Sequence, residues 1–329
     1  MIVRLYFLIL LYRRNKQLMI NLRGIKMNAI NKKNVTAVVH NSVFHADDVI
    51  CISLLRLYYG KENVTVVRSR NPKDFKTADY ILDVGGKREI SDNQVWLDHH
   101  QDITEYQNGI RRSACGYLFD YLMAADFLPF EFAEGFRSKI LYPVEAYDNG
   151  QDVKNLNLMP NLFEFIPVLN PNWNSNSNGN EEFLIAVDMA DKIIKNVIDR
   201  LKSTAEAEHM TMQAICKSES SIIELKQYCP WYNMVIDYNE NNLDNRKILF
   251  VIWKTRDNSY MAQAVAKSTN TRETWVSFPE SMCGKTSEEI NSVSNTTSAV
   301  FVHVTGFLGV WKNKDELYKV LNDIIEDNT

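Results

Sequence analysis

The chain has 329 residues, of which 45% are hydrophobic and 24% are charged, and its formal net charge is −4. This composition is that of a globular protein, and the length predicts one large domain and one smaller domain. The acidic balance argues against a broadly basic nucleic-acid surface, although it allows a local basic groove. Five scattered cysteines without a CxxC pair are typical of a reducing compartment, so we expect a cytoplasmic protein.

The first 26 residues differ from the rest of the chain. A mostly apolar run from Ile2 to Leu11 precedes the basic stretch Arg13 to Lys16, and the segment contains no acidic residue. The run is too short to span a bilayer, and its charge follows the apolar residues instead of preceding them as in a secretory signal. We interpret residues 1–27 as a disordered or spurious extension outside the fold, and mitochondrial targeting is the less favoured alternative.

Strands and helices alternate in the first half of the chain. The predicted strands are Thr36–Val39, Val64–Val67, Tyr80–Val84 and Val95–Asp98, and the predicted helices are Val49–Tyr59, Ser113–Met123 and Glu131–Tyr147, the last broken near Pro143. Such alternation requires crossover connections, so it predicts an α/β fold with a parallel sheet flanked by helices.

The second half has a different pattern. A long helix is predicted from Glu181 to about Ser218, and a last helix from Asp315 to Glu326. The predicted strands between them are Tyr232–Ile236, Lys247–Trp253, Tyr260–Val265 and Phe301–Thr305, and the first three should be antiparallel. We therefore divide the chain into a domain of residues 28–220 that includes the long helix, and a smaller α+β substrate or lid domain of residues 221–329.

Histidine and aspartate residues follow several predicted strands and lie at the start of a predicted helix. His40, Asp83 and the run Asp98-His99-His100 follow strands, and Asp47 lies at the start of a helix. Ligands bind at the carboxyl ends of strands in open α/β sheets, so we expect these side chains to meet at one edge. The full candidate cluster is His40, His45, Asp47, Asp83, His99 and Asp148.

Imidazoles mixed with carboxylates are typical ligands of Mn²⁺, Zn²⁺ or Fe²⁺, and less typical of Mg²⁺. Six ligands are too many for one ion that leaves room for substrate, so two ions roughly 3.5–4 Å apart are expected. The alternative is a polar turn with two solvated histidines, because helix starts favour aspartate on their own account.

Seven short motifs occur in a fixed order along the chain. They are HNSVFHADD (40–48), DVGG (83–86), DHHQ (98–101), NGI and SACG (108–116), DNG (148–150), LNPNW (169–173) and FVHVTGF (301–307). The ordered set resembles the melanocyte proliferating gene 1 family of metal-dependent exonucleases, which is similar to the DHH phosphoesterase superfamily. The resemblance runs from about Val38 to the last helix, and it implies a DHH-type parallel sheet.

The resemblance also implies roles for individual residues. One ion would be held by His40, His45 and Asp83, and the other by Asp47, Asp83, His99 and Asp148. Mn²⁺ is preferred, with Mg²⁺ or Zn²⁺ as alternatives. The expected catalytic residues are Asp83, Asp98 and His100, and the expected substrate-binding residues are Asn41, His100, Ser113, His303 and Gly306.

The expected activity is that of a metal-dependent phosphoesterase, a 3′–5′ exonuclease or oligonucleotidase that uses a metal-bound hydroxide. Its expected partners are single-stranded RNA or DNA or short oligonucleotides, without a membrane. The alternatives are a small-molecule nucleotide or pyrophosphate phosphohydrolase acting on a phosphorylated small molecule, and a non-catalytic metal-binding protein. Arg68, Arg70, Arg111 and Arg112 are candidate nucleic-acid contacts or, equally, surface charges.

Overall fold

A computed structural model describes residues 31–101, 103–152, 162–241 and 246–328. The chain divides into two units, the first ending at Lys202 and the second beginning at Ser203. The predicted domain boundary at residue 220 stays a prediction. The predicted extension of residues 1–27 lies outside the described residues.

The first unit contains a five-stranded sheet of order β2-β1-β3-β5-β4. Its strands are β1 (Val35–Val39), β2 (Val64–Arg68), β3 (Tyr80–Leu82), β4 (Arg88–Ile90) and β5 (Val95–Leu97). β1 pairs in parallel with β2 and β3, and β3 pairs in parallel with β5, as the alternating pattern predicts. The edge strand β4 is antiparallel to β5 and was not predicted, because a short strand with exposed charged residues has no apolar pattern.

Short helices and one long buried helix surround this sheet. They are α1 (Ala46–Tyr59), α2 (Pro72–Phe75), α3 (Ala114–Met123), α4 (Ala133–Phe136), α5 (Tyr142–Asp148) and α6 (Leu162–Phe165). A π-helical segment, Arg137–Leu141, joins α4 to α5, so the break predicted near Pro143 takes the form of a π-helical turn before it. α1 is buried on all sides from Ala46 to Arg56, and it therefore places acidic residues of its first turn inside the protein.

The second unit has its own five-stranded sheet, of order β6-β7-β8-β10-β9. Its elements are β6 (Ile222–Leu225), α8 (Tyr232–Asn241), β7 (Phe250–Lys254), β8 (Tyr260–Ala264), α9 (Ser287–Ser294), β9 (Ala299–Val302), β10 (Leu308–Trp311) and α10 (Lys314–Glu326), and the long helix α7 (Asn180–Lys217) spans the division. Only β6 and β7 pair in parallel. The architecture is mixed α/β, and the DHH-type arrangement stays a prediction.

One predicted strand, Tyr232–Ile236, is wrong, because these residues begin helix α8. The short run of aromatic and β-branched residues has strand propensity, but periodicity cannot separate a buried strand from a buried helical turn at this length. Val235, Ile236 and Asn239 are buried on one helical face, and the Asn239 amide exchanges two hydrogen bonds of 2.8 Å with the backbone of Ile248. In the part of the chain that the structure describes, no helix is both long enough and apolar enough to cross a bilayer.

Candidate metal centre

The ends of three parallel strands bring the predicted side chains together. His40 follows β1, Asp83 follows β3, and His99 lies two residues after β5. The Nε2 atom of His40 lies 3.4 Å from Asp83 Oδ2, and the Nε2 atom of His99 lies 3.1 Å from Asp83 Oδ1. Asp83 therefore turns one carboxylate oxygen toward each histidine, as expected for a residue between two ions.

The first group of potential ligands contains His40, His45, Asp48 and Asp83, whose donor atoms all lie within 4.8 Å of one another. Asp48 was not in the predicted ligand set. It is fully buried, and its Oδ2 lies 2.8 Å from His40 Nε2 and accepts a hydrogen bond of 3.2 Å from the backbone nitrogen of His45. An acidic residue at this helical position is typical of a capping box. The sequence alone therefore does not indicate that Asp48 is also a potential ligand.

The second group contains Asp47, His99 and Asp148. Asp148 lies at the end of α5, and its Oδ2 is 3.1 Å from His99 Nε2 while its Oδ1 is 3.8 Å from His45 Nδ1. A third, overlapping group adds His100 to Asp83 and His99. All six predicted metal ligands thus lie in these groups, and their assignment to two ions stays a prediction.

The backbone at Asp83 has a left-handed conformation, with a φ of 55°. Aspartate and asparagine tolerate this region better than other residues with a side chain. Gly85 follows with a φ of 97°, and a Cβ atom there would lie 2.7 Å from the Trp96 ring. The turn therefore requires glycine, and it leaves the Asp83 carboxylate free to face the histidines.

Burial and neighbouring charges shift the pKa values of this cluster. Burial lowers the pKa of His40, but hydrogen bonds with Asp48 and Asp83 outweigh it and raise the pKa to about 10. Burial also lowers the pKa of His99, but the neighbouring carboxylates of Asp148 and Asp83 outweigh this effect and raise the pKa to about 11. Without bound cations, the buried carboxylates therefore keep protons on both imidazoles.

The carboxylates respond to the same environment. Burial raises the pKa of Asp47 well above its ordinary value, and the charges of Asp148 and Asp83 add to this rise. Burial also raises the pKa of Asp48, although His40 opposes it. At Asp83 burial is outweighed by the neighbouring imidazoles of His40 and His99, so its pKa lies below the usual range. Burial of so many ionisable groups is unfavourable unless they are paired with one another or with cations.

Unpartnered buried atoms test whether divalent ions fit. Asp48 Oδ1, Asp83 Oδ1 and His99 Nε2 are buried, and none has a partner with hydrogen-bond geometry among the described residues, although the last two lie 3.1 Å apart. Buried polar atoms are normally paired, and these three belong to the groups described above. Imidazole nitrogen and carboxylate oxygen are suitable donors for Mn²⁺ or Zn²⁺, so the residues fit divalent ions.

Asp98 and His100 form a hydrogen-bonded pair beside this centre. Asp98 accepts hydrogen bonds from the backbone nitrogens of Gly86 and His100, at 2.8 and 3.0 Å. Its Oδ1 also lies 2.7 Å from His100 Nδ1, while the His100 side chain is 64% exposed. The geometry agrees with the expectation that Asp98 orients a neighbouring histidine, and the catalytic role of the pair stays a prediction.

Asn41 and Ser113 take different positions. Asn41 is exposed, and its carbonyl oxygen lies 3.0 Å from His40 Nδ1, an arrangement that directs Nε2 of this imidazole toward the carboxylates. Ser113 is fully buried, and its hydroxyl donates to Asp47 Oδ1 at 2.7 Å. Both residues thus hold candidate ligands, and their predicted contact with substrate is untested.

His303 and Gly306 lie in the second unit, in the turn between β9 and β10. Gly306 has a φ of 69°, and a Cβ atom there would lie 2.7 Å from the Phe278 carbonyl oxygen. His303 Nδ1 accepts a hydrogen bond from the Thr305 backbone nitrogen at 3.2 Å and lies 2.9 Å from the Thr305 hydroxyl. His303 lines a cavity of about 670 Å³ together with Tyr232, Gln263, Arg272, Ser277, Thr305 and Phe307.

The loop before α1 is held by residues far away in sequence. The Asn170 side chain accepts from the backbone nitrogen of Phe44 and donates to its carbonyl oxygen, both at 2.9 Å. Arg68 donates to the carbonyl oxygens of Ser42 and Gly179, and its guanidinium lies over the Phe44 ring. Arg68 therefore supports the loop that leads to His45, which corrects its reading as a surface charge.

We expect Asn170→Ala to weaken both folding and metal binding, because it leaves two backbone groups of buried Phe44 without partners. Two lost hydrogen bonds correspond to about 2 kcal/mol, and hence to a drop in melting temperature of about 5 °C. Thermal unfolding and Mn²⁺ titration are the measurements. The exposed neighbour Asn172→Ala is the control, and equal behaviour of the two variants would contradict this role.

Comparison with known proteins confirms the family that the motifs resemble. A model of the uncharacterised protein family UPF0160, named MYG1_exonuc, matches residues 36–324. The MYG1 protein YER156C of Saccharomyces cerevisiae is 25% identical over 91% of this chain and 98% of its own length. The MYG1 exonuclease of Homo sapiens is 25% identical over 84% of this chain and 82% of its own length. The MYG1 protein of Chlamydia muridarum is 25% identical over 87% of this chain and 95% of its own length. Because the family model covers most of the sequence, the chain belongs to the family UPF0160.

Proposed function

We propose that this protein is a divalent-metal-dependent phosphoesterase, a 3′–5′ exonuclease or oligonucleotidase that acts on RNA or short nucleic acids. The observation that carries the proposal is the position of Asp83, whose Oδ2 lies 3.4 Å from His40 and whose Oδ1 lies 3.1 Å from His99. A carboxylate shared between two groups of potential ligands is typical of two-metal hydrolases. The name of the human relative, MYG1 exonuclease, supports a nucleic-acid substrate.

Two ions would be held on the two sides of this carboxylate. The first would use His40, His45 and Asp83, to which Asp48 is added, and the second would use Asp47, His99 and Asp148 together with Asp83, whose Oδ1 lies 3.1 Å from His99. Bound divalent ions would lower the pKa of a water molecule and neutralise charge on phosphoryl oxygens. The preferred metal is Mn²⁺, because the donor set contains imidazole nitrogen as well as carboxylate oxygen.

The pair Asp98 and His100 would act on the phosphate. Because Nδ1 of His100 lies against Asp98, the ring is held in one orientation and its Nε2 is left for the substrate. The exposed position of His100 supports this role, since a group that meets substrate must be reachable. His100 would contact a phosphate oxygen through Nε2 and stabilise the charge that develops there.

His303 and Gly306 are proposed to contact substrate. The cavity beside them combines Arg272, hydroxyl groups and the flat Phe307 ring, a set suited to a phosphate and a base, while the acidic side chain in its lining, Glu273, is paired with Lys267. His303 Nδ1 is occupied by Thr305, which leaves Nε2 as a donor. Gly306 allows the backbone of this turn to pack closely against Phe278.

We expect His303→Ala to raise KM on an oligonucleotide about tenfold, with kcat nearly unchanged, because it removes one hydrogen bond to a charged group. Steady-state kinetics on a short single strand is the measurement. The matched control is Val304→Ala, since Val304 is 70% exposed, lies on the same turn and does not line the cavity. Wild-type KM in the His303 variant would remove this residue from the substrate site.

The substrate class is tested by turnover on a panel with Mn²⁺ or Mg²⁺. The panel contains single-stranded RNA, single-stranded DNA, short oligonucleotides, cyclic dinucleotides and pyrophosphate. Release of nucleoside monophosphates from one end of a strand would support an exonuclease. Turnover of pyrophosphate or single nucleotides alone would favour a small-molecule phosphohydrolase, and absence of turnover on every substrate would contradict the proposal.

A further inference from the structure

A buried carboxylate outside the candidate ligand groups connects helix α5, which ends at the candidate ligand Asp148, to the start of α3. Glu145 lies on α5, three residues before Asp148, and is fully buried. Its Oε1 accepts hydrogen bonds from the backbone nitrogen of Ser113 at 3.0 Å and from the Tyr106 hydroxyl at 3.2 Å. Among the residues that the structure describes, Glu145 Oε2 has no hydrogen-bond partner. A buried acid in such a position needs a reason, because isolated burial of a carboxylate is unfavourable.

The contact of Glu145 with Ser113 leads directly to a candidate ligand. Ser113 is the N-cap residue of α3, but its side chain does not cap its own helix. Its hydroxyl donates to Asp47 Oδ1 at 2.7 Å, and the backbone nitrogens of Ala114 and Cys115 also donate to Asp47, at 3.2 and 2.8 Å. Asp47, from another helix, therefore satisfies the free nitrogens at the start of α3.

The space that Glu145 occupies depends on a glycine. A Cβ atom on Gly116 would lie 1.8 Å from Glu145 Oε1 and 2.6 Å from the Tyr106 hydroxyl. Glycine inside a helix is less favourable than alanine by about 1 kcal/mol. Gly116 thus makes the first turn of α3 less stable than alanine would, but it leaves space for the carboxylate of Glu145.

We propose that Glu145 is a positioning residue for the metal centre, which fixes the start of α3 through Ser113 and thereby orients Asp47. Glu145 also lies one helical turn before Asp148 on the same helix. Its position therefore affects both Asp47 and Asp148, two members of the second ligand group. The inference rests on the proposed metal-dependent function. It goes further by assigning a role to a residue that contacts neither ion nor substrate.

Three variants distinguish the hydrogen bond that Glu145 accepts from Ser113 from the contribution of this helix to packing. Glu145→Ala removes the acceptor for Ser113, Glu145→Gln keeps an oxygen at Oε1, and Val144→Ala shortens a fully buried neighbour on the same helix. The first measurement is Mn²⁺ titration of the full chain. We expect Glu145→Ala to weaken the second ion about 10- to 100-fold and to leave the first nearly unchanged. Glu145→Gln and Val144→Ala should stay within about threefold of the wild type.

The second measurement needs no metal. Hydrogen exchange of the segment 113–116 in metal-free protein reports directly on the start of α3. Glu145→Ala should increase exchange there about tenfold, while Glu145→Gln restores protection and Val144→Ala leaves it unchanged. Gly116→Ala, which displaces the carboxylate, should resemble Glu145→Ala.

The two measurements also separate this inference from the proposed function. Exchange in Glu145→Ala equal to that in Val144→Ala would overturn the positioning role, and so would a glutamine variant as impaired as the alanine variant. A wild-type protein that binds no divalent ion would instead overturn the proposed function. The exchange data would still decide whether Glu145 holds the start of α3.

Discussion

Asp83→Asn is expected to reduce hydrolysis by at least about 10³-fold while the protein stays folded. The substitution replaces a carboxylate oxygen with an amide nitrogen that cannot bind a cation, and it removes the charge that faces both His40 and His99. Asparagine tolerates the left-handed backbone at this position, where φ is 55°, as well as aspartate does. A loss of activity would therefore report on the metal centre and not on strain in the turn.

Asp126→Asn is a matched control for this experiment. Asp126 is exposed, has a φ of 59°, and lies in none of the groups that could hold an ion. We expect wild-type turnover and stability from this variant. Turnover would be measured on the substrate that the wild type prefers, with metal content determined on the same samples. If Asp83→Asn kept wild-type rates, Asp83 would only support the Gly85-Gly86 turn, and the shared-carboxylate model would be wrong.

The parts of the centre at strand ends could be predicted from the sequence. β-branched apolar runs mark strands, and polar residues that directly follow them must lie at one edge of a parallel sheet. His40, Asp83 and His99 are in this class. In the structure, Asp83 lies 3.4 Å from His40 and 3.1 Å from His99. Residues on helices were harder to interpret, because the face that a helix buries depends on packing partners distant in sequence.

Asp48 and Glu145 illustrate this limit. Asp48 follows Asp47 in a helix start, where acidic residues are common for reasons of capping alone. Only the complete burial of α1 reveals that both acids point inward. Glu145 lies within a helical pattern, and one sequence without its fold contains no sign that a glutamate is buried. Tyr232 shows the opposite error, since local propensity predicted a strand where tertiary packing selects a helix.

Metal binding is expected to become much tighter as pH rises from 7 to 9, because the metal-free centre holds protons that ions must displace. The His40 ring already shows how a proton is kept there. Its Nδ1 lies 3.0 Å from the Asn41 carbonyl oxygen and its Nε2 lies 2.8 Å from Asp48 Oδ2, so both nitrogens face acceptors. Hydrogen bonds with carboxylates outweigh burial and raise the pKa to about 10 at His40 and about 11 at His99.

An imidazole must be neutral to bind a cation, so each of these histidines releases one proton when the ion enters. Because both pKa values lie above 9, the two protons are still bound at every pH in this range, so the apparent affinity for each ion should rise by about tenfold per pH unit and the combined affinity for both ions by about 100-fold. Calorimetric titration with Mn²⁺ in buffers of different ionisation enthalpy counts the released protons. His40→Ala should release about one proton fewer than the wild type, whereas His209→Ala, at an exposed position outside these groups, should release the same number.

The same protons link the stability of the metal-free protein to pH. A histidine whose pKa is raised on folding stabilises the protein fully below its unfolded pKa of about 6.5, and this contribution is lost as pH rises through the folded value. The melting temperature of metal-free protein should therefore fall between pH 7 and 10, because the folded protein keeps a proton on His40 that the unfolded chain has already released. The melting temperature of protein saturated with Mn²⁺ should fall less, because the bound ion replaces the positive charge of the protons. Mn²⁺ affinity that is independent of pH, with no proton release, would show that the imidazoles are already neutral before the ions bind.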